Sequence, residues 1–492
     1  MSKYLFKLLN IVLLTVLLKA NSFGQNSFNV LLNSDSLYRY NSAPEILDSL
    51  LIKDYAKLNI QDTSFDNSFG KAEVIDLDRM IYFALNNNPE LKSMRLSIDS
   101  DKLVAEEKDY LPDPMFEFEL DDIMSDFKQV GMINFFVSQM FMYPGKLGLE
   151  KKAVLDNTVM MEYDLKNMAV NMINMVKMSF YDLFFTEQKL QINRENQLVM
   201  QNMITAAESK YSVGKGMQQE VFKSQIEFSK LQNEEYLLVQ QKKNILSELT
   251  RLTKTVINEK TKVSFRNIDI EFLLDMNHFK FEGADTDKLV KYAFQNRADL
   301  KALESKVVMN KTDLEMAKLS RMPDFSVKLG YKILPFEEKN AFNIMLGINI
   351  PIAPWTSGKY NYSVKKSEVK IKASTEEIEI KKNDIRNEVV NSVNSLLSAK
   401  QTVNYYYMVM IPQTENSLKA TQYNYENNMT SFLDLLDSFR MYQEAKLMFY
   451  ESVTMYLKMI ADVEMNLNIF QILSLNGSLN RSRCKGLSWP RT

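Results

Sequence analysis

The chain alternates between two hydrophobic periods. In Met115–Asp121, Phe116, Phe118 and Leu120 alternate with Glu117, Glu119 and Asp121. After a polar stretch near Asp126, Met132–Gln139 places Ile133, Phe135 and Val137 on one face and Asn134 and Ser138 on the other, with Phe136 as the exception. A period of two predicts a β-hairpin with one apolar and one polar face. The pattern returns later and more regularly: Phe325, Val327, Leu329, Tyr331 and Ile333 form one alternating run, and Phe342, Ile344, Leu346, Ile348 and Ile350 another. Packed in water, an apolar face of this kind covers a core. In an outer membrane it faces lipid and its polar partner lines a pore.

Between and after the strands the period becomes helical. Lys146–Tyr211 contains no proline and only one glycine, Gly148, and predicts a helix of about 100 Å at 1.5 Å per residue. Ala169, Val176, Leu183 and Leu190 recur every seven residues, as do Leu231, Leu238, Ile245 and Leu252, so these helices are expected to wind along neighbours. A similar pattern leads to Tyr425, with a kink expected at Pro412. Each long pattern ends in a break and restarts: Tyr211–Ser224 (YSVGKGMQQEVFKS) and Tyr425–Ser438 (YENNMTSFLDLLDS). Tyr211 aligns with Tyr425, Gly214 with Asn428 and Glu220 with Asp434. Gly and Asn tolerate the left-handed conformation at helix ends, and both stretches read as tips of helical hairpins. Asp434 and Asp437, three apart, share one helix face.

The whole order occurs twice. Asn87-Asn88-Pro89-Glu90-Leu91 parallels Asn296-Arg297-Ala298-Asp299-Leu300, Pro112 parallels Pro323, and Gly145-Lys146 parallels Gly358-Lys359, at an offset drifting from about 209 to 214, the mark of an internal duplication. The expected organisation is an export signal over 1–24, an irregular segment over 25–74, a first repeat over 75–253, a connecting element over 254–285, a second repeat over 286–465 and a tail over 466–492. The signal rests on Lys3 and Lys7, the apolar run Leu8–Leu18 and the small residues of Ser22-Phe23-Gly24. An N-terminal anchor is its alternative, and no cysteine follows the run to carry a lipid. No later stretch is apolar for the 18 residues a membrane helix needs.

Composition narrows the chemistry. A net charge of −2 gives no basic field for nucleic acid. One cysteine, Cys484, excludes an intrachain disulfide framework, and one histidine, His278, leaves no His-rich metal site. Phosphate-loop, dinucleotide, zinc-protease and CxxC motifs are absent, so no enzyme, cofactor or catalytic residue is expected. Four strands cannot close a barrel, and open edges are not tolerated in lipid. Strands in a membrane would therefore require several chains. Tyr110, Phe127, Phe141, Tyr143, Phe336 and Trp355 flank the strands as interfacial aromatics do.

In these duplicated motifs, in this order, the chain resembles the TolC-type outer membrane efflux family over roughly residues 75–465. The second tip, Phe432-Leu433-Asp434-Leu435-Leu436-Asp437, is similar to that family's motif with two acidic residues three apart; Asn428 stands where the family usually has glycine. The resemblance implies a mainly α fold with β, in which internally duplicated long helical hairpins form an α-barrel and four strands per chain join a trimeric twelve-stranded barrel. It implies a passive duct in the outer membrane of a Gram-negative bacterium, helices in the periplasm, working with a periplasmic adaptor and an inner-membrane pump of the RND or ABC type. Asp434 and Asp437 would ring the entrance. Tyr211, Gly214, Lys215 and Gly216, with Tyr425, Asn428, Met429 and Thr430, would meet the adaptor. Glu117, Glu119, Asp121, Lys328 and Lys332 would face the barrel lumen. The tract Gln139–Leu147 and the Lys-Gly-Met-Gln-Gln tip look most like the heavy-metal efflux branch. The 30 methionines, crowded at Met160, Met161, Met168, Met172, Met175 and Met178, suit soft cations as well as ordinary helix packing. Multidrug export, type I protein secretion and a periplasmic coiled-coil structural protein are the alternatives.

Overall fold

The computed structural model describes residues 74–123, 130–257, 261–265, 268, 286–334, 339–351, 353–427 and 429–469, all within one compact unit, Phe65–Thr492. The export signal, Phe127, Phe336, Asn428 and the tail beyond residue 469 lie outside the described residues. In chain order the elements are β1 (Val74–Ile75), α1 (Leu77–Asn87), α2 (Pro89–Glu107), β2 (Met115–Ile123), β3 (Val130–Phe141), α3 (Lys146–Ser212), α4 (Gln218–Thr253) and β4 (Lys262–Val263). They continue with α5 (Thr286–Asn296), α6 (Ala298–Leu319), β5 (Phe325–Leu334), β6 (Lys339–Ile348), α7 (Ser357–Tyr405), a π-turn (Tyr406–Met410), α8 (Ile411–Glu426) and α9 (Phe432–Leu467). No described helix is long and apolar enough to cross a membrane.

The strands form one antiparallel sheet in the order β2-β3-β5-β6, so the two hairpins join through β3 and β5. The register sorts the side chains by face. Phe116, Val137, Leu329 and Ile344 are cross-strand neighbours on one face, and Phe118, Phe135, Tyr331 and Phe342 lie in the next row. This face is uncovered: Phe116 is 66% exposed, Ile344 70% and Leu346 80%. The sheet has two free edges, β2 and β6. A second, two-stranded sheet pairs β1 with β4 in parallel, at the connecting element.

The helices carry the core. Ala169, Val176, Leu183 and Leu190 on α3 are all buried, as are Leu238 and Leu252 on α4, so the seven-residue period marks the packed seam. Next to the strands the helices lie in the order α2-α3-α6-α7. Towards the tips α3 packs on α4 and α9, and α9 on α7 and α8. Helix α3 therefore runs the full length as one uninterrupted 67-residue element. Its counterpart does not: just before Pro412, where a kink is expected, a π-turn runs up to the start of α8, with Ile411 N–H donating to Tyr406 O, five residues back. Pro412 has no N–H for the usual partner, and the turn before it is widened.

The two repeats differ at their matched joints. Asn88 caps α2, accepting from Glu90 N–H at 2.8 Å, while its amide donates to Leu252 O at 3.1 Å. Its counterpart Arg297 instead pairs with Asp299 at 2.6 Å and Glu388 at 2.5 Å. Deeper in the bundle Lys177 on α3 pairs with Glu464 on α9 at 2.5 Å, both side chains nearly enclosed. Burial pushes the Glu464 carboxyl up, against the attraction of Lys177. A buried pair contributes little net stability while intact, but removing one partner strands a charge. Lys177→Met is expected to lose about 3–5 kcal/mol, and Lys177→Met with Glu464→Leu to regain most of it, read from chemical unfolding.

Candidate functional site

The two hairpin tips lie side by side and are built by different devices. At the first, α3 ends at Ser212 and Gly214 takes the left-handed conformation with φ 73°. Gly214 N–H donates to Tyr211 O at 3.0 Å and Lys215 N–H to Lys210 O at 2.9 Å, closing the last turn of α3. A Cβ at Gly214 would meet nothing within 4 Å, so the glycine is there for its backbone; a Cβ at Gly216 would come within 3.0 Å of Lys210 Cβ. Tyr211, Gly214 and Lys215 are exposed at this end and Gly216 is half-buried.

The second tip is fixed by a capping box. Ser431 caps α9: its hydroxyl accepts from Asp434 N–H at 3.3 Å, and Asp434 Oδ2 accepts from Ser431 N–H at 3.1 Å. The same carboxylate oxygen accepts from the hydroxyls of Ser431 at 2.7 Å and Thr430 at 2.8 Å. These bonds to Ser431, then Thr430, hold the Asp434 carboxyl below the ordinary aspartate value. Asp434 thus helps to build the tip as well as presenting charge. Asp437 shares its exposed face, with Arg440 3.6 Å away. Met429 is 75% exposed.

Beneath the tips is an apolar knot in which Met200 from α3, Tyr425 from α8, and Phe432, Leu435, Leu436 and Phe439 from α9 are buried together. Tyr425 is buried, unlike its counterpart Tyr211, and joins the hairpins. Lys210 Nζ lies 3.7 Å from the centre of its ring and donates to its carbonyl oxygen at 2.6 Å. Its hydroxyl donates to Glu220 Oε2 at 3.4 Å. Burial, then the negative charge of Glu220, pushes the Tyr425 hydroxyl up to about 12. A second tie runs from Arg440 to Glu227 at 2.5 Å. Sequence reasoning found neither Lys210 nor the Arg440–Glu227 pair. The only local signal was Arg440 one turn after Asp437; the other partners are more than 200 residues apart.

At the opposite end, the register places Glu117, Glu119, Asp121, Lys328 and Lys332 on one face of the sheet. Lys328 forms an ion pair with Glu117, and Asn134 donates to Glu119 at 3.3 Å. Phe136, the exception in the alternation, lies on this polar face yet is buried. It packs where Gly330 leaves room: a Cβ there would come within 2.6 Å of its ring. Lys328 Nζ sits 4.3 Å from that ring. Among the flanking aromatics, Tyr110 and Trp355 are exposed and Phe141 and Tyr143 half-buried. Among the described residues no group of three or more His, Cys, Asp or Glu is placed to hold a metal ion.

No protein-family model matches the chain, and no curated protein matches it. Solved structures do. The outer membrane channel CmeC of Campylobacter jejuni superposes with a TM-score of 0.65 at 15% identity, over 80% of this chain and 85% of that one. The outer membrane protein VceC of Vibrio cholerae gives 0.64 at 12%, over 80% and 95%. The open state of the MtrE outer membrane channel of Neisseria gonorrhoeae gives 0.62 at 13%, over 80% and 89%. This chain has the fold of outer-membrane channels: a long helical bundle carrying a four-stranded antiparallel sheet.

If Lys210 ties the tips, Lys210→Met speeds hydrogen exchange of the amides around Tyr425 by about fivefold, the loss of one charge-assisted bond. Tyr425→Phe, which removes only the long bond to Glu220, changes it by less than about twofold.

Proposed function

We propose that the chain is an exported outer-membrane exit duct of the TolC type, a homotrimer and not an enzyme. The observation that carries this reading is the sheet: one face apolar and uncovered, the other charged, and two free edges, β2 and β6, on a single chain. In lipid an unpaired edge costs several kcal/mol for each unsatisfied backbone group. Pairing β6 of each copy with β2 of the next removes every edge, and three copies make a barrel of twelve strands. The apolar face then meets lipid, and Glu117, Glu119, Asp121, Lys328 and Lys332 line the lumen. The helices continue the tube into the periplasm.

The tips form the periplasmic entrance. Asp434 and Asp437 from three copies ring it and attract cations. Tyr211, Gly214, Lys215, Gly216, Asn428, Met429 and Thr430 form the docking surface for a periplasmic adaptor, with Tyr425 holding that surface from within. Cargo arrives from an inner-membrane pump of the RND or ABC type. Small solutes or metal cations are the proposed cargo, the heavy-metal branch resting on the Gln139–Leu147 tract and the Lys-Gly-Met-Gln-Gln tip.

Deleting the gene in its host and fractionating the protein test this reading together. Outer-membrane localisation with sensitivity confined to copper, silver, zinc or cobalt supports metal efflux. Sensitivity to detergents and antibiotics moves the cargo to drugs, and a protein free in the periplasm overturns the duct.

In planar bilayers, Asp434→Asn with Asp437→Asn raises the divalent-cation concentration for half-block by about tenfold or more. A carboxyl with a lowered folded value keeps its charge above that value and loses it only as pH falls through it. In an Asp437→Asn channel, block therefore persists at about pH 4, the ordinary aspartate value.

A further inference from the structure

The duplication makes a specific statement about the seam between copies, resting on the trimeric reading above. Within one chain, β3 of the first repeat meets β5 of the second. The corner is tied by an ion pair: Lys146, just after β3, reaches Asp324, just before β5, at 2.7 Å. The same aspartate accepts from Tyr143 N–H at 2.8 Å, and Lys146 also donates to Met322 O at 2.9 Å. This contact therefore fixes where the first repeat leaves the sheet and the second enters it.

Each partner has a counterpart. Gly145-Lys146 is repeated as Gly358-Lys359 after β6, and Pro323-Asp324 as Pro112-Asp113 before β2. Asp113 lies two residues before the edge strand β2, and Lys359 lies in the first turn of α7, after the edge strand β6; both are exposed. Neither makes an ion pair with a described residue of its own chain, and Lys359 Nζ lies 5.8 Å from the centre of the Tyr360 ring. We infer that Lys359 of one copy pairs with Asp113 of the next, repeating between chains the Lys146–Asp324 contact found within one.

The helices below these edges carry the match further. On α2, Leu91, Ile98 and Ala105 are buried, while Leu96 and Leu103, seven apart, are 69% and 72% exposed. On α7, Tyr362 and Val369, also seven apart, are 72% and 63% exposed. Seven-residue spacing on an uncovered face is the spacing of a coiled-coil seam. Helix α2 runs towards the sheet and α7 away from it, so they meet antiparallel when β2 meets β6. The occupant of both edges is thus a second copy of this chain.

The test is a charge swap in the full-length protein, extracted from the membrane in detergent, reading the half-time of trimer dissociation on heating. Asp113→Lys alone and Lys359→Asp alone put like charges at all three seams and are expected to shorten the half-time about tenfold. Asp113→Lys with Lys359→Asp is expected to restore it. Unchanged half-times in the single variants overturn the pairing and leave the trimer standing. Shortened half-times that the swap does not restore assign the effect to misfolding and also overturn it. A wild-type protein extracted only as single chains overturns the trimeric reading itself.

Discussion

A β-strand with no neighbour leaves backbone donors and acceptors unpaired, and this constraint governs the molecule. The chain builds a sheet of four strands whose outer pair, β2 and β6, have one free edge each, and whose apolar face is left bare. In water these edges and that face would be a liability for aggregation. In a membrane they are tolerable only if another chain supplies the missing hydrogen bonds. The helices repeat the same incompleteness: α2 and α7 bury one face each against the chain's own core and leave Leu96, Leu103, Tyr362 and Val369 uncovered. On the proposed reading one chain is a sector of a larger ring, and its closed surfaces are those that do not need a partner.

The duplication supplies the frame and its divergence supplies the function. Both hairpins end in a tip and both restart with an acid three residues after the cap, Glu220 in α4 and Asp434 in α9. From there the copies part. The first tip turns on a left-handed glycine and keeps Tyr211 exposed; the second buries Tyr425, secures α9 with Ser431 and Asp434, and faces two carboxylates outward. Only the second repeat carries a π-turn in its long helix, so the hairpin that bears the acids also has the interrupted scaffold. Lys210 and Arg440 hold that hairpin to its neighbour.

Most of the fold was legible because it follows from period. Every member of the Ala169–Leu190 heptad run is buried, each alternating stretch is a strand, and Gly214 has the backbone its position demanded. Pro89 opens α2 behind the Asn88 cap as expected. What escaped was whatever depends on distant partners. Nothing local shows that Lys146 reaches Asp324, or that Lys210 lies over Tyr425. Phe136 broke the alternation for a reason held by Gly330, nearly 200 residues away. At Pro412 the missing N–H was visible, but the π-turn that precedes it was not. Of the acids at the tip, exposure was readable, whereas the capping role of Asp434 required the position of Ser431 and Thr430.

The central claim is that β2 and β6 are completed only by other copies. Imaging the protein extracted from the outer membrane by electron cryo-microscopy tests it most directly. The account predicts a closed ring of three chains and twelve strands, with β6 of each copy hydrogen-bonded to β2 of the next. A particle of one chain whose four-stranded sheet is covered by its own residues would contradict it.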